Sequence, residues 1–129
     1  MPSFGRIVLV WAVALVAAGC GQTPATLAGG KPVSHWVAAL KDSSAKVRKT
    51  AVLKLRNVGP ADPAALPALI GALKDRDAEV RREAILALAN YGPGAREAVP
   101  LLTDLKQKDA NARVRSDAAQ ALEKLQSGE

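Results

Sequence analysis

Beyond Val33 the apolar residues recur at helical rather than strand spacing. Val47, Ala51, Val52 and Leu55 fall on one arc of a helix, as do Val80, Ala84, Ile85 and Leu88, and again Val114, Ala118, Ala119 and Leu122. A period of 3.6 residues keeps each quartet on one face, whereas a strand would scatter it over two. Ser44, Asp77 and Asn111 stand just ahead of these three segments. Their side chains can accept hydrogen bonds from the free N–H groups of a first turn, so each marks a helix start. Gly59 and Gly92 close the first two segments, each followed by a proline, and the pair stops a helix and turns the chain. Shorter leading helices are predicted near Val33–Leu40, Pro63–Leu73 and Ala95–Leu105.

These helices are copies of one unit. Val37–Gly59 aligns with Ile70–Gly92 without a gap, at a spacing of 33 residues. A third, looser copy begins at Leu102 and has two additional residues between Leu105 and Val114 compared with Leu73 to Val80. Its closing glycine is replaced by Gln126 and Ser127, which suits a terminal cap. The expected fold is all-α, a short solenoid of three helical hairpins spanning about residues 33–127, with repeats near 33–59, 63–92 and 95–127.

The first fifth of the chain follows a different pattern. Arg6 precedes an uncharged run, Ile7 to Ala18, that ends at Gly19, Cys20 and Gly21. This is the layout of a secretory signal. Twelve apolar residues fall short of the roughly twenty that a membrane-spanning helix needs. Ala17-Ala18-Gly19-Cys20 resembles the lipobox of bacterial lipoproteins, with Ala17 where family members favour a branched residue. The resemblance implies a signal peptide over residues 1–19 and lipidation of Cys20 as the mature N-terminus. It also implies an extracytoplasmic place in a bacterial envelope. Gly21 in place of a retaining aspartate would send the protein to the outer membrane of a double-membraned cell. Cys20 is the only cysteine, which excludes an internal disulfide; a buried thiol in an uncleaved anchor is the alternative. Residues 21–32, GQTPATLAGGKP, read as a flexible linker.

Charge narrows the function. The formal net charge of +6 falls to +5 without Arg6, and basic and acidic residues alternate through the helices. With 3% aromatic residues and no groove-reading motif, no nucleic-acid partner is expected. His35 is the sole histidine, and Gly29-Gly30-Lys31 lacks the Ser or Thr of a phosphate loop, so no metal, cofactor, small-molecule substrate or catalytic centre is expected. Trp36 and Tyr91 are expected to pack between repeats.

Arg48, Arg81 and Arg115 project into the apolar arc and therefore need partners. Asp42, Asp75 and Asp109, in the preceding turns, can supply them as a ladder along the stack. Helical hairpins with D-x-x-x-x-V-R opening the second helix resemble HEAT repeats of the bacterial, phycobilisome-lyase-like type. That resemblance implies a right-handed alpha-alpha superhelix in which these six residues form a structural ladder. Opposite the apolar arc lie Lys49, Leu53, Arg56, Arg82, Leu86 and Asn90, followed by Ser116 and Gln120. Exposed leucines flanked by Lys49 and Arg82 would suit an acidic, partly apolar protein surface. The expected function is a membrane-anchored, non-catalytic scaffold for a protein partner; the alternatives are a lyase-like accessory subunit for bilin attachment and a structural envelope lipoprotein.

Overall fold

The computed structural model describes residues 27–128. The apolar leader, Cys20 and the linker up to residue 26 lie outside the described residues. A two-stranded antiparallel hairpin comes first, β1 (Leu27–Ala28) and β2 (Lys31–Pro32). Three helical pairs follow: α1 (Val33–Ala39) with α2 (Ala45–Val58), α3 (Ala65–Ala72) with α4 (Ala78–Tyr91), and α5 (Val99–Lys108) with α6 (Ala112–Ser127). Short 3-10 turns, Gly59–Ala61 and Gly92–Ala98, join the pairs. The longer second helices stack in a row, α2 on α4 and α4 on α6, and each shorter helix covers its own partner. This is an all-α repeat solenoid.

The long helices start and stop where their capping residues dictate. The Ser44 hydroxyl accepts from Val47 N at 3.4 Å, the Asp77 carboxylate from Glu79 N and Val80 N at 2.9 and 3.1 Å, and the Asn111 carbonyl from Arg113 N and Val114 N at 2.9 and 3.2 Å. Each cap satisfies orphan N–H groups of the first turn. Gly59 and Gly92 end α2 and α4 at φ of 56° and 59°, a region that side chains with a Cβ avoid. The third leading helix begins later than the pattern predicts, at Val99, because Gly92–Ala98 winds as 3-10 helix and Pro100 sits in the first turn of α5.

One apolar cluster runs from Ala28 to Leu125 and joins all three pairs, so the described residues share one core. Ala51, Ala84 and Ala118 occupy equivalent, fully buried sites. Two members of the predicted arc depart from it. Ala119 is only half-buried, and Val47 is 38% exposed although its counterparts Val80 and Val114 are fully buried. Val80 and Val114 each follow an earlier repeat in the stack, and Val47 has none before it among the described residues.

Residues 27–32, read from the sequence as part of a flexible linker, are instead folded against the first repeat. Gly29 and Gly30 take φ of 59° and 80°, the turn that a two-residue hairpin requires. Ala28 is buried, and its carbonyl accepts the Trp36 indole N–H at 2.7 Å. The Trp36 ring lies beneath Lys31 and Lys54, whose Nζ atoms are 5.8 and 5.9 Å from its centroid. Trp36 therefore packs under the hairpin and not between repeats, as the sequence reading had it. A hairpin this short is not stable alone; the indole and α2 hold it in place.

Candidate protein-binding surface

The turns between the helices of each pair carry the charged ladder. Each turn begins with an aspartate that folds back on its own backbone: Asp42 accepts from Ser44 N at 2.9 Å, Asp75 from Asp77 N at 2.9 Å and Asp109 from Asn111 N at 2.8 Å. Each arginine returns to the same turn, Arg48 to the Asp42 carbonyl at 2.8 Å, Arg81 to that of Asp75 at 2.8 Å and Arg115 to that of Asp109 at 2.7 Å. The arginine's second edge reaches the aspartate of the following repeat. Arg48 is bidentate to Asp75, Nε at 2.9 Å and Nη2 at 3.1 Å. Arg81 donates from Nη2 to Asp109 at 3.0 Å, and its Nε faces the other carboxylate oxygen at 2.9 Å without hydrogen-bond alignment. Arg48 is only 4% exposed, so the first rung is a buried charge pair whose remaining donors are met by backbone. Asp42 and Arg115 stand at the two ends of this series and make no side-chain rung. Arg48, Asp75, Arg81 and Asp109 thus join successive repeats, while Asp42 and Arg115 bond within their own turns.

The second helices together present the face on which Lys49, Leu53, Arg56, Arg82, Leu86 and Asn90 were predicted. Leu86 is 40% exposed and Asn90 is exposed, while Leu53, Lys49, Arg56 and Arg82 are half-buried. The basic members already have partners on this surface. Arg82 donates to Asp117 on α6 at 2.7 Å and to Glu79 one turn back at 3.2 Å. These hydrogen bonds, Asp117 first, hold its guanidinium above its ordinary pKa. Lys49 and Arg56 both approach Glu83 on α4, each at 3.9 Å. The acids Glu83 and Asp117 were not singled out in the sequence, yet a signal was there. Each stands on the next helix one position beyond the repeat equivalent of the cation it meets, Glu83 past Lys49 and Asp117 past Arg82. The pairing removes the free positive charge on which an acidic partner would rely and leaves a neutral strip with leucine at its centre. Ser116 and Gln120 continue it on α6 as exposed polar residues.

Two clefts lie elsewhere. One, of about 490 Å³, runs between α1 and the Asp62–Ala64 segment and is lined largely by Pro32, Val33, Val37 and Ala38. The other, of about 280 Å³, lies between Pro60, Asp62, Pro63, Leu66 and Tyr91. Tyr91 lines this second cleft, and its buried hydroxyl has no hydrogen-bond partner among the described residues. His35 is exposed on α1, with its ring edge-on to Trp36 at 4.8 Å. Among the described residues, no group of His, Cys, Asp and Glu side chains is placed to hold a metal ion, and no helix is long and apolar enough to cross a membrane.

The HEAT repeats family matches residues 33–123. The chain belongs to the HEAT-repeat family. Solved structures with similar folds include a designed armadillo repeat protein in complex with a (KR)4 peptide, 32% identical with a TM-score of 0.60 over 72% of this chain and 46% of that one. The complex of CpcE and CpcF of phycocyanin lyase from Nostoc sp. PCC7120 is 32% identical, with a TM-score of 0.64 over 81% of this chain and 41% of that one. An engineered protein is 31% identical, with a TM-score of 0.59 over 74% of this chain and 46% of that one. This HEAT-repeat chain thus spans less than half the length of each of these structures. None of the curated proteins matches it.

Proposed function

We propose that this HEAT-repeat chain is a non-catalytic protein-binding scaffold, held at a bacterial envelope membrane by a lipid on Cys20. The observation that carries the binding half is the row formed by α2, α4 and α6, whose common face centres on Leu86, an exposed leucine ringed by paired charges and amides. An apolar anchor in a polar rim is the anatomy of a protein interface. The charge pairs keep that face rigid without imposing net charge, so the partner contributes apolar and hydrogen-bonding groups in place of acidic ones. The signal pattern ending at Cys20 supports the anchoring half, and the lipid leaves the solenoid free to search near the bilayer.

The test places a photo-crosslinking amino acid at Leu86, and for comparison at Gln107, exposed on the last turn of α5. In native membranes the Leu86 site yields a discrete adduct identified by mass spectrometry and the Gln107 site does not. Equal labelling from both positions, or none from Leu86, rejects the surface. Likeness to the CpcE–CpcF complex favours a second reading, an accessory subunit in bilin attachment. A spectral shift on mixing the protein with a bilin is expected under that reading alone.

A further inference from the structure

The net positive charge of the described residues lies at one end. Residues 27–58 hold seven lysines and arginines against one acid, Asp42, whereas residues 59–128 hold ten basic and ten acidic side chains. Of the seven, Arg48 is neutralised by Asp75, and Lys49 and Arg56 face Glu83. Lys31, Lys41, Lys46 and Lys54 make no ion pair among the described residues. The same end carries two of the three large apolar side chains that stand exposed among the described residues, Leu27 at 62% and Val47 at 38%. On α2, Lys46, Val47 and Lys54 fall within an arc of about 100°. Lys31 and Lys54 both lie near the Trp36 ring, and the hairpin that carries Leu27 and Lys31 is pinned by the bond from Trp36 to the Ala28 carbonyl. Lysines without an ion pair and exposed aliphatic side chains are thus gathered on the hairpin and the first helical pair, where the chain enters the solenoid from its N-terminal segment.

We propose that this N-terminal end is a docking face for an anionic lipid bilayer, with Lys31, Lys41, Lys46 and Lys54 against the phosphate headgroups and Leu27 and Val47 at the acyl boundary. Basic groups at such a surface gain from its negative potential, and the aliphatic groups add apolar contact that a purely electrostatic partner would not use. The buried Trp36 ring offers no face for base stacking, which disfavours a nucleic acid. The inference shares with the proposed anchoring only the presence of a bilayer. Docking stands the stack on end, with α6 pointing away from the membrane, and fixes the orientation in which the Leu86 face is presented.

Residues 21–129, which contain every residue of the apolar cluster and lack Cys20, test docking independently of acylation. The protein is floated with vesicles of phosphatidylcholine alone or mixed with phosphatidylglycerol. Binding to the mixed vesicles that is lost at high salt, with none to phosphatidylcholine, is expected. The double variant Lys31→Glu with Lys46→Glu lowers binding at least roughly tenfold, while Lys106→Glu with Lys124→Glu, an equal charge change at the other end, lowers it less than about threefold. Circular dichroism verifies the fold of each variant. Should the first pair unfold, Val47→Asp replaces it, being an exposed position, with the same expected loss. Absence of binding, equal binding to phosphatidylcholine, equal loss in the two double variants, or tighter binding to duplex DNA than to mixed vesicles overturns the proposal. Failure of Cys20 acylation in cells would count against the anchor and leave this result standing.

Discussion

Tyr91 is the only tyrosine in the chain, so its hydroxyl can be followed alone. Burial is the main cause that raises its pKa, and the Asp62 carboxylate adds to it. The fold therefore favours the protonated phenol. Between about pH 10, where an unfolded tyrosine ionises, and the higher folded value, the unfolded state has lost a proton that the native state keeps, so stability falls as pH rises. Absorbance titration of the folded protein should place the phenol midpoint above about 10, and urea melts should weaken between about pH 9 and about pH 11. Because the hydroxyl has no partner, Tyr91→Phe is expected to stabilise by up to about 1 kcal/mol and to remove part of the alkaline decline. A midpoint at or below the ordinary value would show that the ring is solvated. Tyr91 was legible as a packing residue from its place in the repeat. Its missing partner was not, because a hydrogen bond depends on what the next turn brings near.

The elements followed the local chemistry of the chain closely. Each long helix starts at its predicted cap and the first two stop at their predicted glycines, since caps and C-terminal glycines act within one turn and need no distant neighbour. Arginines on an apolar arc also announced themselves, because a charge there must be paired. The rung between the first two repeats is consequential: Asp75→Ala leaves Arg48 buried without its carboxylate and should cost about 3 kcal/mol or more, read from urea denaturation. Asp42→Ala, at an exposed aspartate that bonds only its own turn, should cost less than about 1 kcal/mol. Equal losses would mean that the ladder adds nothing between repeats. The hairpin was missed for the opposite reason. Gly29-Gly30 in a polar, proline-containing stretch is equally the composition of a tether, and only the Trp36 indole and α2 decide that it folds.

At the scale of the whole molecule, the three pairs share one core, and none has an apolar face it can bury alone. Ending the chain after Gly94 removes α5 and α6 and exposes the side of α4 that packs on α6; a broad, non-cooperative thermal transition by circular dichroism is expected, and a sharp melt would show that two repeats suffice. The net positive charge of the first repeat is legible in the residues, although alternation of signs along the helices masks it. The sequence alone determined the helical repeat, its caps and four of the six expected ladder residues, Arg48, Asp75, Arg81 and Asp109, because a period of 3.6 and a capping bond are properties of a dozen neighbouring residues. Tertiary structure decided which charges remain free, that Lys49, Arg56 and Arg82 are occupied by Glu83 and Asp117, that Val47 is exposed where its equivalents are buried, and that residues 27–32 are folded. Each of those depends on which helix or strand stands opposite, a relation that the pattern within one helix does not fix.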